Sequence, residues 1–234
     1  MARVILFDAA GTLIYLPRGV GWHYRQIGQR HGMELDERSL GEAFGRAFRA
    51  LMPMGKSGGN PGVGRVDDDK GWWRALVRRV WLECGEEPED GRFEQMFEDL
   101  YAHFAEPGVW ALYPEALGVL EALDGRRRLG IISNFDRRLY PVLEHLGIRR
   151  FFETVTISSE VGLEKPDPRI FAMALAGLDA QAADAVYVGD DPEQDWRGAA
   201  AAGMRVYRVE RPGRTLDGLA EFAGVMPSSG RENR

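Results

Sequence analysis

Asp8 ends the apolar run Val4-Ile5-Leu6-Phe7 and heads the small-residue turn Ala9-Ala10-Gly11-Thr12. An acid delivered by a buried strand into an open turn is a candidate nucleophile, because the strand fixes the carboxylate and the turn leaves it accessible. Three later apolar runs also lead into polar residues. Ser133-Asn134 follows Leu129-Gly130-Ile131-Ile132, Lys165 lies downstream of Thr154-Val155-Thr156-Ile157, and Gly189-Asp190-Asp191-Pro192-Glu193-Gln194-Asp195 follows Ala185-Val186-Tyr187-Val188. Taken singly, Asp8 could cap a helix, Ser133 could begin a turn and Lys165 could be surface charge. Their shared placement favours chemistry, because ligands of an open parallel sheet bind beyond the carboxyl ends of its strands.

Together these residues suit attack by a carboxylate on phosphorus. Asp190, Asp191 and Asp195 offer oxygen ligands to a hard cation, most naturally Mg²⁺, which would bridge nucleophile and phosphate. Lys165 would add positive charge, and the Ser133 hydroxyl with nearby backbone N–H groups would bond the phosphoryl oxygens. Ala10 is the exception, since no second acid stands two residues after Asp8.

The elements that must position these groups are legible as well. After residue 110, short apolar runs alternate with helical periodicity, which predicts strand-helix units and a parallel sheet. Leu117, Leu120 and Leu123 share one helical face, and Leu139, Val142, Leu143 and Leu146 another. A helix starts near Pro168, a short Ala-rich one spans Gly198 to Ala202, and Arg205 to Val209 reads as the last strand. Residues 17–105 instead show helical faces, Leu40-Ala43-Phe44-Ala47-Phe48-Leu51 and Trp73-Leu76-Val77-Val80-Trp81, with few strand signals. Between those faces, Gly55-Lys56-Ser57 imitates a phosphate-binding loop, but Ala50 stands where the motif's first glycine belongs and a helical pattern precedes it. The segment reads as a linker, and Trp72 and Trp73 as packing residues. The polar stretch 227–234 reads as a frayed tail.

Composition narrows the partners. At 234 residues and 44% hydrophobic, the chain can bury a substantial core. A net charge of -6 argues against nucleic acid as a partner, and no run approaches the roughly 20 apolar residues of a membrane span. Asp8 interrupts the N-terminus before a signal-peptide core forms, so the expected location is cytoplasmic. Cys84 is the only cysteine, which excludes an internal disulfide and a thiolate zinc site. Nothing in the sequence sets an oligomeric state.

In order and over the whole chain, the four strand-end segments resemble the four motifs of the haloacid dehalogenase-like hydrolase superfamily. Ile132-Ser133-Asn134-Phe135-Asp136-Arg137-Arg138-Leu139, Lys165-Pro166-Asp167-Pro168-Arg169-Ile170-Phe171, Val188-Gly189-Asp190 and Trp72-Trp73 resemble its rhythmically-expressed-gene-type branch. The resemblance implies an α/β fold: a Rossmann-like parallel sheet core with helices on both faces, residues 1–16 and 106–226, and an inserted α-helical cap, residues 17–105. It also implies a nucleophilic Asp8 forming an aspartyl-phosphate, phosphate contacts from Thr12, Ser133 and Lys165 with Asn134 beside them, and a small phosphorylated substrate. Mg²⁺ would be held by Asp8, the carbonyl of Ala10 and Asp190, with Asp191 and Asp195 supporting it from behind.

The superfamily's phosphatases carry an aspartate at the Ala10 position to protonate the leaving group and then activate water. General acid-base help of this kind is worth about 10²–10⁴-fold. Its loss leaves three readings. The first is a phosphatase that is slow, prefers good leaving groups, or borrows an acid from His23, Tyr24 or His31. The second is a 2-haloacid dehalogenase, whose halide departs without a proton; that class does without Mg²⁺ and lacks the acidic fourth segment. The third is a phospho-ligand binding or regulatory protein. Arg18, His23, Trp72, Trp73 and Arg137 are the candidates for contacting substrate from outside the four segments.

Overall fold

The computed structural model describes residues 2–51, 69–87 and 89–225; the 54–62 loop and the 227–234 tail lie outside them. Its centre is a five-stranded parallel sheet built from β1 (Val4–Phe7), β4 (Arg128–Ser133), β5 (Thr154–Ile157), β6 (Ala185–Gly189) and β7 (Arg205–Arg208), in the order β5-β4-β1-β6-β7. β1 is buried at every position, as expected of a central parallel strand covered on both faces. Successive side chains point to opposite faces, so Ile5 and Phe7 join Ile131, Val186 and Val188 in one core, while Val4 and Leu6 join Ile132 and Tyr187 in the other. Helices α5 (Ala116–Leu123) and α6 (Leu139–His145) cover the first face; α8 (Pro168–Gly177) and α9 (Gly198–Ala201) cover the second.

Each fully buried aliphatic or aromatic side chain contributes about 1.5–3 kcal/mol, so Asp8 hangs from a strand anchored along its whole length. The edge strand β7, exposed at both ends, would hold a nucleophile less firmly. Register then aligns the strand ends: Phe7 sits opposite Ile131 and Val188, and Ser133 opposite Ile157. Asp8, Ser133 and Asp190 therefore emerge along one edge of the sheet.

Two further short strands, β2 (Ile14–Tyr15) and β3 (Ala111–Leu112), pair antiparallel. Between them the chain forms α1 (Gly19–Arg30), α2 (Glu37–Leu51), α3 (Lys70–Glu83) and α4 (Asp90–His103). This pairing brings the helical segment's entry and exit together. The helices share a separate core that includes Tyr24, Ile27, Leu40, Ala43, Leu76, Val80, Trp81 and Phe97. Among the described residues no helix is long and apolar enough to cross a membrane.

Candidate active site

Asp8 continues the pairing of β1, its N–H donating to the carbonyl of Val188 at 2.8 Å. The turn beyond it is drawn tight by one acceptor: the amides of Thr12, Leu13 and Ile14 all donate to the carbonyl of Ala9. Among the described residues no backbone amide outside the regular elements bonds the carbonyl of Ala10. Gly11, at φ +97°, is required twice over, because a side chain would be strained there and its Cβ would strike the Asp190 carboxylate.

Lys165 follows α7 (Ser158–Val161) and is held from behind by Asn134. The Lys165 N–H donates to Asn134 Oδ1 at 2.8 Å, while Asn134 Nδ2 donates to the Lys165 carbonyl at 2.9 Å and to Gln194 Oε1 at 2.8 Å. So placed, the buried ammonium donates to Asp8 Oδ1 and Asp195 Oδ1, both at 2.6 Å, and to the Tyr187 hydroxyl at 2.9 Å. All three of its protons are used. Burial alone would lower the Lys165 ammonium, but the carboxylates of Asp195 and Asp8 outweigh it and hold it above its ordinary value.

Asp195 reaches this cluster through a wide turn over Pro192–Arg197, in which the Trp196 N–H returns to the carbonyl of Asp191 at 3.1 Å. One carboxylate oxygen accepts the amides of Asp190 and Asp191 at 3.1 and 3.0 Å; the other accepts Lys165 and, at 2.8 Å, Tyr187. Gly189 leaves room for it, since a Cβ there would collide with the Asp195 carboxylate.

Carboxylate oxygens of Asp8, Asp190 and Asp195 lie within 4.8 Å of one another. Burial pushes the Asp8 carboxyl up to about 7; Lys165 opposes the shift, and Asp195 and Asp190 add to it. Asp190 is raised too, first by burial, against a hydrogen bond from Thr12. These hard oxygens, crowded and costly to ionise together, fit a divalent cation. Asp195 already accepts four hydrogen bonds, so of the three carboxylates Asp8 and Asp190 keep more oxygen lone pairs for a metal.

The remaining expected residues take other positions. Ser133 Oγ stands 3.5 Å from Asp8 Oδ1, a loose contact that leaves the hydroxyl able to turn. The buried Thr12 hydroxyl donates to Asp190 Oδ1 at 2.9 Å, and Asn134 is engaged with Lys165 and Gln194. Asp191 stands apart as the cap of the Pro192 turn, accepting the amides of Glu193 and Gln194 at 2.8 Å. His23 is buried against His103 at 2.9 Å, and burial, then His103 and Arg18, hold it down to about 4. His31 pairs with Asp99 at 2.8 Å, Arg137 with Glu160 at 3.1 Å, and Arg18 lies 5.1 Å from the Trp22 ring. Trp72 packs on Phe48. Tyr24 and Trp73 line a cavity that also touches Ala10 and Asn134.

Tyr187 and Gln194 belong to the site although the strand-end pattern gives neither of them a role. A tyrosine inside an apolar strand is itself a signal, because its buried hydroxyl needs a partner.

A haloacid dehalogenase-like hydrolase family profile matches residues 2–203. The chain is 34% identical over 211 residues to haloacid dehalogenase-like hydrolase domain-containing protein 3 of Bos taurus, covering 90% of this chain and 82% of that one. It is 37% identical over 175 residues to a phosphoserine phosphatase of Thermus thermophilus, covering 73% of this chain and 67% of that one. Rhythmically expressed gene 2 protein of Drosophila melanogaster is 26% identical over 236 residues, covering 92% and 89%.

Proposed function

The chain belongs to the haloacid dehalogenase-like hydrolase family, and from that premise we propose that it is a Mg²⁺-dependent phosphatase of a small phosphorylated molecule, working through an aspartyl-phosphate at Asp8. The observation that carries this reading is the charge of the cluster. With Asp8, Asp190 and Asp195 all ionised, the single ammonium of Lys165 leaves two negative charges unbalanced, so an anionic substrate needs a divalent cation to enter. Similarity to a phosphoserine phosphatase supports the same reaction class.

Asp8, the Ala10 carbonyl and Asp190 would hold Mg²⁺, which would supply charge neutralisation and orient the phosphoryl oxygens. Lys165 grips Asp8 by Oδ1 and steadies the carboxylate for in-line attack by Oδ2. Asp195 and Tyr187 aim Lys165, Asn134 fixes its backbone, and Thr12 orients Asp190. Ser133 turns its hydroxyl toward a phosphoryl oxygen. Residues 17–105 act as a cap on a core made of 1–16 and 106–226. Ala10 supplies no proton, and His23, buried and held neutral, does not replace it.

The test is phosphate release from a panel of phosphomonoesters. Turnover is expected with Mg²⁺ and lost with EDTA or in Asp8→Asn; equal turnover with EDTA contradicts the reading. One observation, alanine at position 10, favours a second reading, a 2-haloacid dehalogenase. Metal-free chloride release from 2-chloropropionate supports that alternative.

A further inference from the structure

The cavity of about 290 Å³ begins at the turn that carries Asp8. Ala10, Asn134 and Phe135 form its wall on the sheet side, and Val20, Phe44 and Phe48 are among its walls on the helical side. Its only charged lining residue among those described, Arg138, is already committed. That guanidinium bonds Asp136 at 2.6 Å and the carbonyl of Tyr101 at 3.1 Å, and lies 3.7 Å from the Tyr101 ring centre. A substrate body carrying its own ammonium or carboxylate would lose water there and gain no counter-charge. An apolar one would be favoured.

Ala10 adds an independent constraint on the same ligand. With no acid two residues after the nucleophile, a leaving oxygen that can depart with its charge is favoured. A phenol ionises near pH 10, as tyrosine does, against about 15.7 for water, so an aryloxide leaves far more readily than an alkoxide.

Resting on the phosphatase reading, we propose that the cavity receives an aromatic leaving group and that the substrate class is aryl phosphomonoesters. An Asp8 oxygen forms a bond to phosphorus as the phosphorus–aryl oxygen bond breaks, and the bonding pair leaves on the aryloxide. Water then attacks phosphorus, the Asp8 carboxylate is released, and the water's proton reaches the aryloxide through solvent, giving a phenol and inorganic phosphate.

The experiment compares four substrates with Mg²⁺ present: acetyl phosphate, phosphoserine, phenyl phosphate and 2-naphthyl phosphate. Phenol and 2-naphthol differ little in acidity, so that pair reports the cavity, whereas acetyl phosphate has a good leaving group and no ring. The expected order of kcat/KM is 2-naphthyl over phenyl over phosphoserine, with at least about tenfold at each step. Val20→Trp, which fills the cavity, lowers the ratio of 2-naphthyl to acetyl phosphate turnover by about tenfold or more. If that variant does not fold, 2-naphthol must competitively inhibit acetyl phosphate turnover by the unaltered protein; no inhibition overturns the proposal. Asp8-dependent turnover of acetyl phosphate with equal kcat/KM for phosphoserine and 2-naphthyl phosphate overturns the cavity assignment and leaves the phosphatase reading standing. No Asp8-dependent turnover of any of the four overturns both.

Discussion

Restoring an acid at position 10 should raise turnover of alkyl phosphates and leave acyl phosphates nearly unchanged. Ala10 is exposed and borders the cavity, so an aspartate fits without disturbing β1 or the tight turn that follows. A positioned general acid is worth about 10²–10⁴-fold, or roughly 3–5 kcal/mol of barrier, when the leaving oxygen needs a proton. Phosphoserine should show a gain in that range. Acetyl phosphate, whose leaving carboxylate needs none, should gain little. The new carboxylate also joins Asp8, Asp190 and Asp195, so the variant should demand at least as much Mg²⁺ as the parent. The assay is steady-state phosphate release at saturating Mg²⁺ from the parent, Ala10→Asp and Ala10→Asn, the last giving the shape without the acid. Gains in Ala10→Asp that are equal for both substrates, or matched by Ala10→Asn, would refute the assignment of the deficit to protonation.

Other consequences follow from the hydrogen bonds and the charge of the site. Asn134→Ala strips partners from the Lys165 backbone, and at about 1–3 kcal/mol for each polar group left unpaired it should lower both stability and kcat, read by denaturant melts and phosphate release. Tyr187→Phe removes a buried hydroxyl bonded to Lys165 and Asp195; a loss of about 1–3 kcal/mol should appear as a lower Tm, with Lys165 still held by two carboxylates. Asp8 has a folded-state value raised to about 7 from an ordinary 3.8, so its contribution to stability is complete below the lower value and is lost as pH rises through the upper one. Protons and Mg²⁺ compete for that carboxylate, and the Tm increase caused by Mg²⁺ should be larger at about pH 8 than at about pH 6. An equal increase at both, or an undiminished one in Asp8→Asn, removes Asp8 from the metal site.

The parts of the site that could be read in advance are those fixed by local pattern. β1, β4 and β6 are short apolar runs whose burial is dictated by a parallel sheet, and the residues just past them must share its carboxyl edge; Asp8, Ser133 and Asp190 follow directly. Partnerships made across the fold leave no such trace. Thr12 meets Asp190 across 178 residues and Asn134 meets Lys165 across 31, and their amide and hydroxyl groups serve protein partners as readily as a phosphate. Tyr187 faces the second core because of strand alternation, and only the loop geometry around Lys165 and Asp195 turns that position into a hydrogen-bonding one. His23 looked available as an acid because sequence alone does not show that it would be buried against His103. The two-residue strands β2 and β3 are too short to display a period, yet they join the two ends of the helical segment.

The central claim, that Asp8 attacks phosphorus with Mg²⁺ as partner, is tested most directly by acid-quenching the protein during turnover of acetyl phosphate and locating phosphate by peptide mass spectrometry. A phosphoryl adduct on the peptide carrying Asp8, formed with Mg²⁺, missing with EDTA and missing in Asp8→Asn, is the predicted result. Turnover that proceeds at the same rate in Asp8→Asn, with the adduct elsewhere or absent, would contradict it.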